Sequence, residues 1–238
     1  MLPGTRAVFF DVDFTLIHPG PMFQGAGYRD FCARHGIHTC NPEAFETAVA
    51  SASALLDESD DHSYDPALFI RYIRHLIEQM GGSGPGLDAC AEEIYREWAG
   101  CHHFSLYEDV LPTLRTLRGR GLLIGLISNT HRSLETFASH FELDQLVSGS
   151  VSSCEHGYNK PHPSIFRTAL RLLAVAPEEA VMVGDSYRHD ILGARAVGIR
   201  GILLRRSTVP LGPGELGVTA PEDDVPVVAT LGEVANLI

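Results

Sequence analysis

A short apolar stretch near the amino terminus constrains the fold more than any other feature, because it runs directly into two carboxylates. Ala7–Phe10 shows no amphipathic pattern, and Asp11 and Asp13 follow it one residue apart. Such a run is typical of a strand buried on both faces of a parallel sheet. Side chains two apart on a strand point the same way, so both carboxylates are expected at its carboxyl end, where open α/β sheets bind ligands. Taken alone, the pair is equally typical of turn residues.

The chain after Leu16 changes from strand-like to helical. Residues 17–21 combine proline and glycine and are predicted to be a linker. Helical periodicity continues to about residue 100, which predicts an inserted α-helical cap domain over 18–104. The predicted cap helices cover residues 22–36, 42–56, 66–80 and 87–99.

Strands and helices alternate in the rest of the chain. Strands are predicted at 122–127, 146–151, 180–183, 199–204 and 225–228. Helices are predicted at 108–120, 131–141, 160–173, 190–197 and 231–237, with a loop at 212–224. This alternation indicates an α/β fold with a doubly wound parallel sheet, a Rossmann-like core formed by 1–17 and 105–238.

Polar residues follow several of the predicted strands. Ser128 and Asn129 end one strand and Asp185 ends another, while Lys160 precedes a helix. Each has a plain structural explanation by itself, as an N-cap, a turn residue or a surface lysine. Together with the first two acids they supply carboxylates, a hydroxyl and an ammonium group at one edge of the sheet. That combination suits a hard divalent cation and a phosphate.

The ordered set of motifs resembles the haloacid dehalogenase (HAD) superfamily, and within it the phosphatase-type members that carry a helical, C1-type cap. The resemblance covers essentially the full chain. It is carried by the motifs Asp11-Val12-Asp13-Phe14-Thr15, Ser128-Asn129, Lys160-Pro161, Gly184-Asp185 and Asp190. It implies a Mg²⁺-dependent hydrolase that cleaves a phosphate monoester through an aspartyl-phosphate intermediate.

The resemblance also implies a role for each motif residue. Asp11 would be the nucleophile, and Asp13 the general acid and then the general base. The phosphate-binding residues would be Thr15, Ser128, Asn129 and Lys160. Mg²⁺ would bind Asp11, the backbone carbonyl of Asp13 and Asp185, with Asp190 ligating through water or orienting the site.

Phe14 departs from the family pattern, in which this position is often small or polar. We interpret it as part of the substrate pocket wall. Further specificity candidates on the first cap helix are Met22, Phe23, Gln24, Tyr28 and Arg29. Phe23 and Tyr28 are also typical of the cap's own core, and Arg29 is typical either of a second anion-binding group or of a surface ion pair.

Composition limits the partners. The 238 residues carry a formal net charge of −12, which argues against non-specific binding to nucleic acid or to an anionic membrane. No apolar run approaches a membrane span and the amino terminus has no signal-peptide pattern. Five scattered cysteines indicate reduced thiols. We therefore expect a cytoplasmic protein that binds a small phosphorylated metabolite, as a monomer or a homodimer.

Three other functions are compatible with the same residues. A phosphomutase would return the phosphoryl group to a second hydroxyl. A 2-haloacid dehalogenase would use Asp11 on carbon and would need neither Asp13 nor Asp185. A non-catalytic member would bind a regulatory partner instead. Phosphate release that requires Mg²⁺ separates a phosphatase from the last two.

Overall fold

The structure is a computed structural model that describes residues 4–57, 62–206 and 224–238. Its strands in chain order are β1 (Ala7–Phe10), β2 (Ile17–Pro19), β3 (Phe104–Leu106), β4 (Leu123–Ser128), β5 (Gly149–Ser152), β6 (Ala180–Gly184), β7 (Arg200–Leu204) and β8 (Val227–Val228). Six of them form a parallel sheet in the order β5-β4-β1-β6-β7-β8. The first strand of the chain therefore lies in the middle of the sheet.

Helices connect the strands and cover the sheet. In chain order they are α1 (Gly25–Arg34), α2 (Phe45–Ala52), α3 (Pro66–Gln79), α4 (Leu87–Glu97), α5 (Val110–Gly119), α6 (Leu134–His140), α7 (Ser153–His156), α8 (Pro163–Leu173), α9 (Gly193–Arg195) and α10 (Leu231–Leu237). None of the described helices combines the length and apolarity needed to cross a membrane.

Both faces of the sheet are packed, as the unpatterned apolar run of β1 predicts. Val8 and Phe10 belong to one apolar cluster, which extends to α5 and α10. Ala7 and Phe9 belong to a second cluster, with Ile165 and Phe166 of α8, on the opposite face. Because alternate side chains of one strand point to opposite faces, this division confirms the doubly wound sheet.

The segment between β2 and β3 (residues 21–103, the helical segment) contains α1 to α4 and short 3₁₀ turns. The prediction of a plain linker at residues 17–21 is wrong, because β2 pairs antiparallel with β3 in register Ile17 to Leu106. Two short strands therefore connect the helical segment to the sheet. The division into separate core and cap domains stays a prediction.

Two other expectations near the carboxyl half need correction. The helix predicted at 190–197 begins earlier, since Tyr187–Leu192 forms a π-helical turn that leads into α9. The short helix α7 is absent from the prediction because four residues are too few to show periodicity. The loop predicted at 212–224 lies outside the described residues except for Asp224.

Candidate active site

The backbone turns sharply where β1 ends. The amides of Leu16 and Ile17 both donate to the carbonyl of Val12, and the Phe14 amide donates to the Ile17 carbonyl. This tight turn places Phe14 at a φ of +63°, a left-handed conformation that favours glycine over a side chain with a Cβ. The small or polar residue that the resemblance leads us to expect here is thus explained in part, since glycine would fit this turn without strain, and Phe14 keeps its aromatic ring despite that strain.

Lys160 is the most heavily bonded side chain of the site. It is 3% exposed, and its ammonium donates to Asp11 Oδ1 at 2.6 Å, to Asp190 Oδ1 at 2.7 Å and to the Ile127 carbonyl at 2.9 Å. These three acceptors satisfy all three hydrogens of the ammonium. The fully bonded geometry explains how a lysine can lie buried beneath a parallel sheet's edge.

Burial and charge act in opposite directions on this pair. Burial raises the pKa of Asp11 to about 7, opposed by the charge of Lys160 and reinforced by Asp190. Burial alone would lower the pKa of Lys160, but the two carboxylates outweigh it and the pKa is raised. Lys160 is thus a permanent cation, whereas Asp11 needs more positive charge nearby to be fully ionised at neutral pH.

Three carboxylates come together at this point. One oxygen from each of Asp11, Asp185 and Asp190 lies within 4.8 Å of the others. This set of hard oxygen donors fits Mg²⁺, which binds few carboxylates and keeps several waters. The side chain of Asp13 is not a member of the set.

The local sequence explains why these carboxylates converge. A Cβ at Gly184 would lie 2.1 Å from Asp190 Oδ2, so only glycine lets the π-helical turn approach the end of β6. Asp190 is 1% exposed and accepts from the Ser186 amide at 3.0 Å. One of its oxygens lies with those of Asp11 and Asp185, and the expectation that it acts through water or as an orienting group stays a prediction.

Two predicted phosphate-binding residues have other contacts. Thr15 is fully buried and donates to Asp185 Oδ1 at 3.4 Å. Asn129 is bonded through both ends of its amide to the backbone of Lys160, donating to its carbonyl at 3.0 Å and accepting from its amide at 2.6 Å. These contacts to Asp185 and Lys160 are not revealed by motif spacing alone, and the phosphate-binding role of Thr15 and Asn129 stays a prediction. Ser128 lines a cavity beside Asp11 and Lys160, as expected.

Arg132 is a site residue that the sequence interpretation missed. It is 1% exposed, and its guanidinium donates to Asp13 Oδ1 at 3.0 Å and to the Trp98 carbonyl at 2.8 Å. It also lies 4.3 Å from the ring centroid of Phe104 on β3. The signal was available as an arginine four residues after Ser128, but arginines are usually exposed, and nothing in the spacing indicates burial.

Two cavities that share lining residues lie at the carboxyl ends of the strands. The smaller, about 160 Å³, is lined by Asp11, Asp13, Ser128, Lys160, Asp185 and Asp190, among others. The larger, about 1620 Å³, extends into the helical segment. Asp13, Phe14 and Asn129 line both cavities. Asp13 therefore lies at the boundary between the smaller cavity, which is polar, and the larger cavity.

The predicted specificity residues divide into two groups. Phe14, Phe23, Gln24 and Tyr28 line the larger cavity. Met22 packs against the apolar core instead, and Arg29 pairs with Asp30 at 2.9 Å with about half of its side chain exposed. Met22 and Arg29 are not among the described residues that line either cavity.

Comparison with known proteins gives the family. The sequence profile of the haloacid dehalogenase-like hydrolases matches residues 5–198. A haloacid dehalogenase-like hydrolase domain-containing protein 3 from Bos taurus is 34% identical over 98% of this chain and 92% of its own length. A phosphoserine phosphatase from Thermus thermophilus is 36% identical over 60% of this chain, a match that spans 57% of that relative.

A solved structure gives the same result for the fold. The crystal structure of a HAD phosphatase from Thermococcus onnurineus superposes with a TM-score of 0.66 at 24% identity, covering 98% of this chain and 97% of that one. The α/β fold is thereby confirmed, and the sequence profile and the Bos taurus relative confirm the expected family. With its carboxylates, lysine and serine meeting at one sheet edge, the chain belongs to the haloacid dehalogenase-like hydrolase family.

Proposed function

We propose that the protein is a Mg²⁺-dependent phosphatase that hydrolyses a phosphate monoester of a small molecule through an aspartyl-phosphate at Asp11. The observation that carries this proposal is the placement of Asp11 and Asp13. Asp11 lies with Lys160 in the small polar chamber, while Asp13 borders both chambers. A nucleophile belongs beside the phosphoryl group, and a proton donor belongs beside the oxygen that leaves.

In the first step a carboxylate oxygen of Asp11 attacks phosphorus, and the bond from phosphorus to the ester oxygen breaks. Asp13 transfers its proton to that oxygen, so the alcohol leaves neutral. Lys160 stabilises the negative phosphoryl oxygens with a charge that is already in place. A Mg²⁺ ion bound by Asp11, Asp185 and Asp190 would neutralise further charge and keep Asp11 ionised.

In the second step Asp13, now a carboxylate, accepts a proton from water. The resulting hydroxide attacks phosphorus, the bond to Asp11 breaks and inorganic phosphate is released. Asp13 is thereby protonated again for the next cycle, so one residue serves as acid and base. A positioned group of this kind typically contributes about 10²–10⁴-fold to the rate.

Arg132 orients Asp13 for both steps. Its guanidinium occupies Oδ1 of Asp13, which leaves Oδ2 as the oxygen that carries the proton. The same guanidinium bonds to Trp98, at the carboxyl end of α4. The orientation of the Asp13 carboxyl group therefore depends on the position of the helical segment, whereas the contacts of Asp11 do not.

The relatives support a phosphatase. The Thermus thermophilus relative is named a phosphoserine phosphatase, and a Methanopyrus kandleri protein that is 28% identical over 84% of this chain is named a glyceraldehyde 3-phosphate phosphatase. A dehalogenase would leave both Asp13 and the carboxylate group around Asp185 without a role. A phosphomutase uses the same first step and differs only in the acceptor.

Phosphate release tests the proposal. The purified protein is incubated with p-nitrophenyl phosphate and with about a hundred metabolite esters, with Mg²⁺ or with EDTA. We expect turnover with Mg²⁺ and its loss with EDTA, because three clustered carboxylates, two of them buried, need the ion. Turnover that persists in EDTA, or chloride release from 2-chloropropionate without phosphatase activity, would contradict the proposal. Transfer to a second hydroxyl instead of water identifies a mutase.

A further inference from the structure

More than half of the described residues lining the larger cavity are aromatic or aliphatic, and most of these belong to the helical segment. Its aromatic wall includes Phe45 of α2, Phe69 and Tyr72 of α3, and Tyr95 of α4. The ring of Tyr95 stacks on His131 with centroids 4.0 Å apart, and the ring of Trp98 lies 6.5 Å from that of Phe14. The apolar wall thus continues to the residues beside Asp13.

The volume is much larger than a short polar metabolite needs. Ligand cavities usually measure roughly 300–1,000 Å³, and this one measures about 1620 Å³. The smaller cavity beside Asp11 and Lys160 adds only about 160 Å³. Since Asp13 marks the boundary, the large cavity lies on the side to which the alcohol departs.

The charges around the large cavity are mostly negative. Glu43, Glu46 and Glu108 are exposed at it, whereas the lining residues Asp13 and Asp109 are paired with arginines. Among the described lining residues the arginine is Arg206, and it is already paired with both oxygens of Asp109 at 2.9 and 3.1 Å.

The guanidinium of Arg206 also donates to the carbonyl of Thr15 at 2.9 Å and lies over the ring of Tyr107. These contacts use Arg206 to fix the turn after β1. A second anionic group on the substrate would therefore meet carboxylates without a compensating cation from the described lining residues.

Two buried polar atoms at the cavity have no hydrogen-bond partner among the described residues, His131 Nε2 and Tyr107 Oη. Burial lowers the pKa of His131 and the Tyr95 backbone is bonded to the ring, so the imidazole is neutral near pH 7. A neutral imidazole and a phenol recognise hydroxyl or amide groups. Unpaired buried polar atoms of this kind cost free energy until a ligand satisfies them.

We propose that the site takes phosphate monoesters whose alcohol is large and mostly apolar, with an aromatic ring or similar surface, one or two neutral hydrogen-bonding groups and no second anion. This rests on the proposed phosphatase function and specifies its substrate class. It also implies that phosphoserine, the substrate in the name of one relative, is a poor substrate here, because its carboxylate would enter an acidic cavity.

A matched series of primary alkyl phosphates tests this inference without changing the reactivity of the ester. It consists of 2-phenylethyl phosphate, phosphoethanolamine, phosphoserine and phosphoglycolate, each assayed with Mg²⁺ at low ionic strength. We expect kcat/KM for 2-phenylethyl phosphate to exceed that for phosphoglycolate by about 10²-fold, since burial of one ring accounts for most of that factor. Phosphoethanolamine should lie between them.

A charge-reversal variant separates the electrostatic part. Glu43→Lys with Glu46→Lys changes two exposed residues at the cavity and should raise kcat/KM for phosphoglycolate about tenfold. The value for 2-phenylethyl phosphate should stay within about twofold. Glu92→Lys is the matched control, an exposed glutamate of α4 that is not among the described lining residues, and it should change neither value.

The outcomes distinguish the two proposals. Absence of p-nitrophenyl phosphate hydrolysis overturns the phosphatase function itself. Normal hydrolysis of that ester, together with phosphoglycolate or phosphoserine turning over as well as 2-phenylethyl phosphate, overturns the substrate class alone. An equal response of the Glu43/Glu46 and Glu92 variants overturns the role assigned to the exposed glutamates at the larger cavity.

Discussion

Two buried cations serve the two acids that follow β1, and they differ in what else they contact. Lys160 bonds to Asp11, to Asp190 and to the end of β4, all within the sheet and its crossovers. Arg132 bonds to Asp13 but also to Trp98 and lies against Phe104, which belong to the helical segment and its connection. The proposed nucleophile is fixed by the sheet alone, while the proposed acid depends on both parts of the molecule.

This difference has a functional consequence. In the proposed mechanism, attack on phosphorus needs a nucleophile whose position does not change. The hydrogen bond from Lys160 holds Asp11 in that position. Proton transfer is useful only when a substrate's alcohol lies in the larger cavity under the helical segment. Because Arg132 joins Asp13 to that segment, a change in the position of the segment would also change the orientation of the acid.

The largest effect is expected from a change of Asp11, the acid that Lys160 contacts. Asp11→Asn removes the nucleophile but keeps a hydrogen-bonding side chain beside Lys160, which retains Asp190. We expect kcat to fall on the order of 10⁴-fold or more, with a melting temperature close to that of the wild type. Steady-state phosphate release and thermal unfolding measure the two. Normal turnover by the pure variant would exclude Asp11 as the nucleophile.

The second largest effect tests the cation itself. Lys160→Met leaves Asp11 and Asp190 buried without their partner, so the free energy of unfolding should fall by about 3–5 kcal/mol. Turnover should fall by about 10²–10³-fold. Added Mg²⁺ should recover part of the stability, because it can neutralise the same carboxylates. A variant as stable and active as the wild type would show that this ion pair is dispensable.

A change of Arg132, which contacts Asp13, is expected to affect some substrates more than others. Arg132→Lys retains a charge but cannot donate to Asp13 and Trp98 in one planar fork. We expect kcat/KM, which reports the first step, to fall about 10²-fold for 2-phenylethyl phosphate. For p-nitrophenyl phosphate kcat/KM should fall by no more than about threefold, since p-nitrophenolate leaves without a proton.

Arg200→Lys is the control for loss of a partly buried guanidinium. Arg200 lies at the start of β7, where it bonds to Thr5 at the opposite end of the strands. That variant should affect both esters equally. If Arg132→Lys also lowers both esters by one factor, Arg132 has a structural role only, and the comparison between the two cations fails.

The smallest effect is expected at Phe14, which borders both cavities. Phe14→Gly relieves a left-handed conformation that costs roughly 1–2 kcal/mol and removes apolar wall, so the net change in stability should be small. The preference for 2-phenylethyl phosphate over phosphoethanolamine should fall by about threefold to tenfold. Unchanged relative kcat/KM across the series would exclude Phe14 from the pocket wall.

The sequence was sufficient for the sheet and for the motif residues because both depend on local patterns. Buried runs such as Ala7–Phe10 show their period directly, and carboxyl ends of parallel strands meet at one edge whatever the loops do. Asp11, Ser128, Lys160 and Asp185 were therefore expected together, and they line one cavity.

The remaining features depend on tertiary contacts that no local pattern encodes. Burial of Arg132 follows from the approach of Trp98 and Phe104, which come from distant parts of the chain. The second hydrogen bond of Asn129 follows from the loop before Lys160. The pairing of β2 with β3 joins residues almost ninety positions apart over only three residues each, too short for a periodic signal.

The steric course of the reaction at phosphorus tests the central claim most directly. A phosphorothioate ester made chiral at phosphorus with two oxygen isotopes is hydrolysed in water that carries the third isotope, and the configuration of the thiophosphate product is determined. Transfer to Asp11 and then to water requires two in-line displacements, each with inversion, so the account predicts overall retention. Overall inversion would show a single direct attack by water and would contradict the covalent intermediate at Asp11.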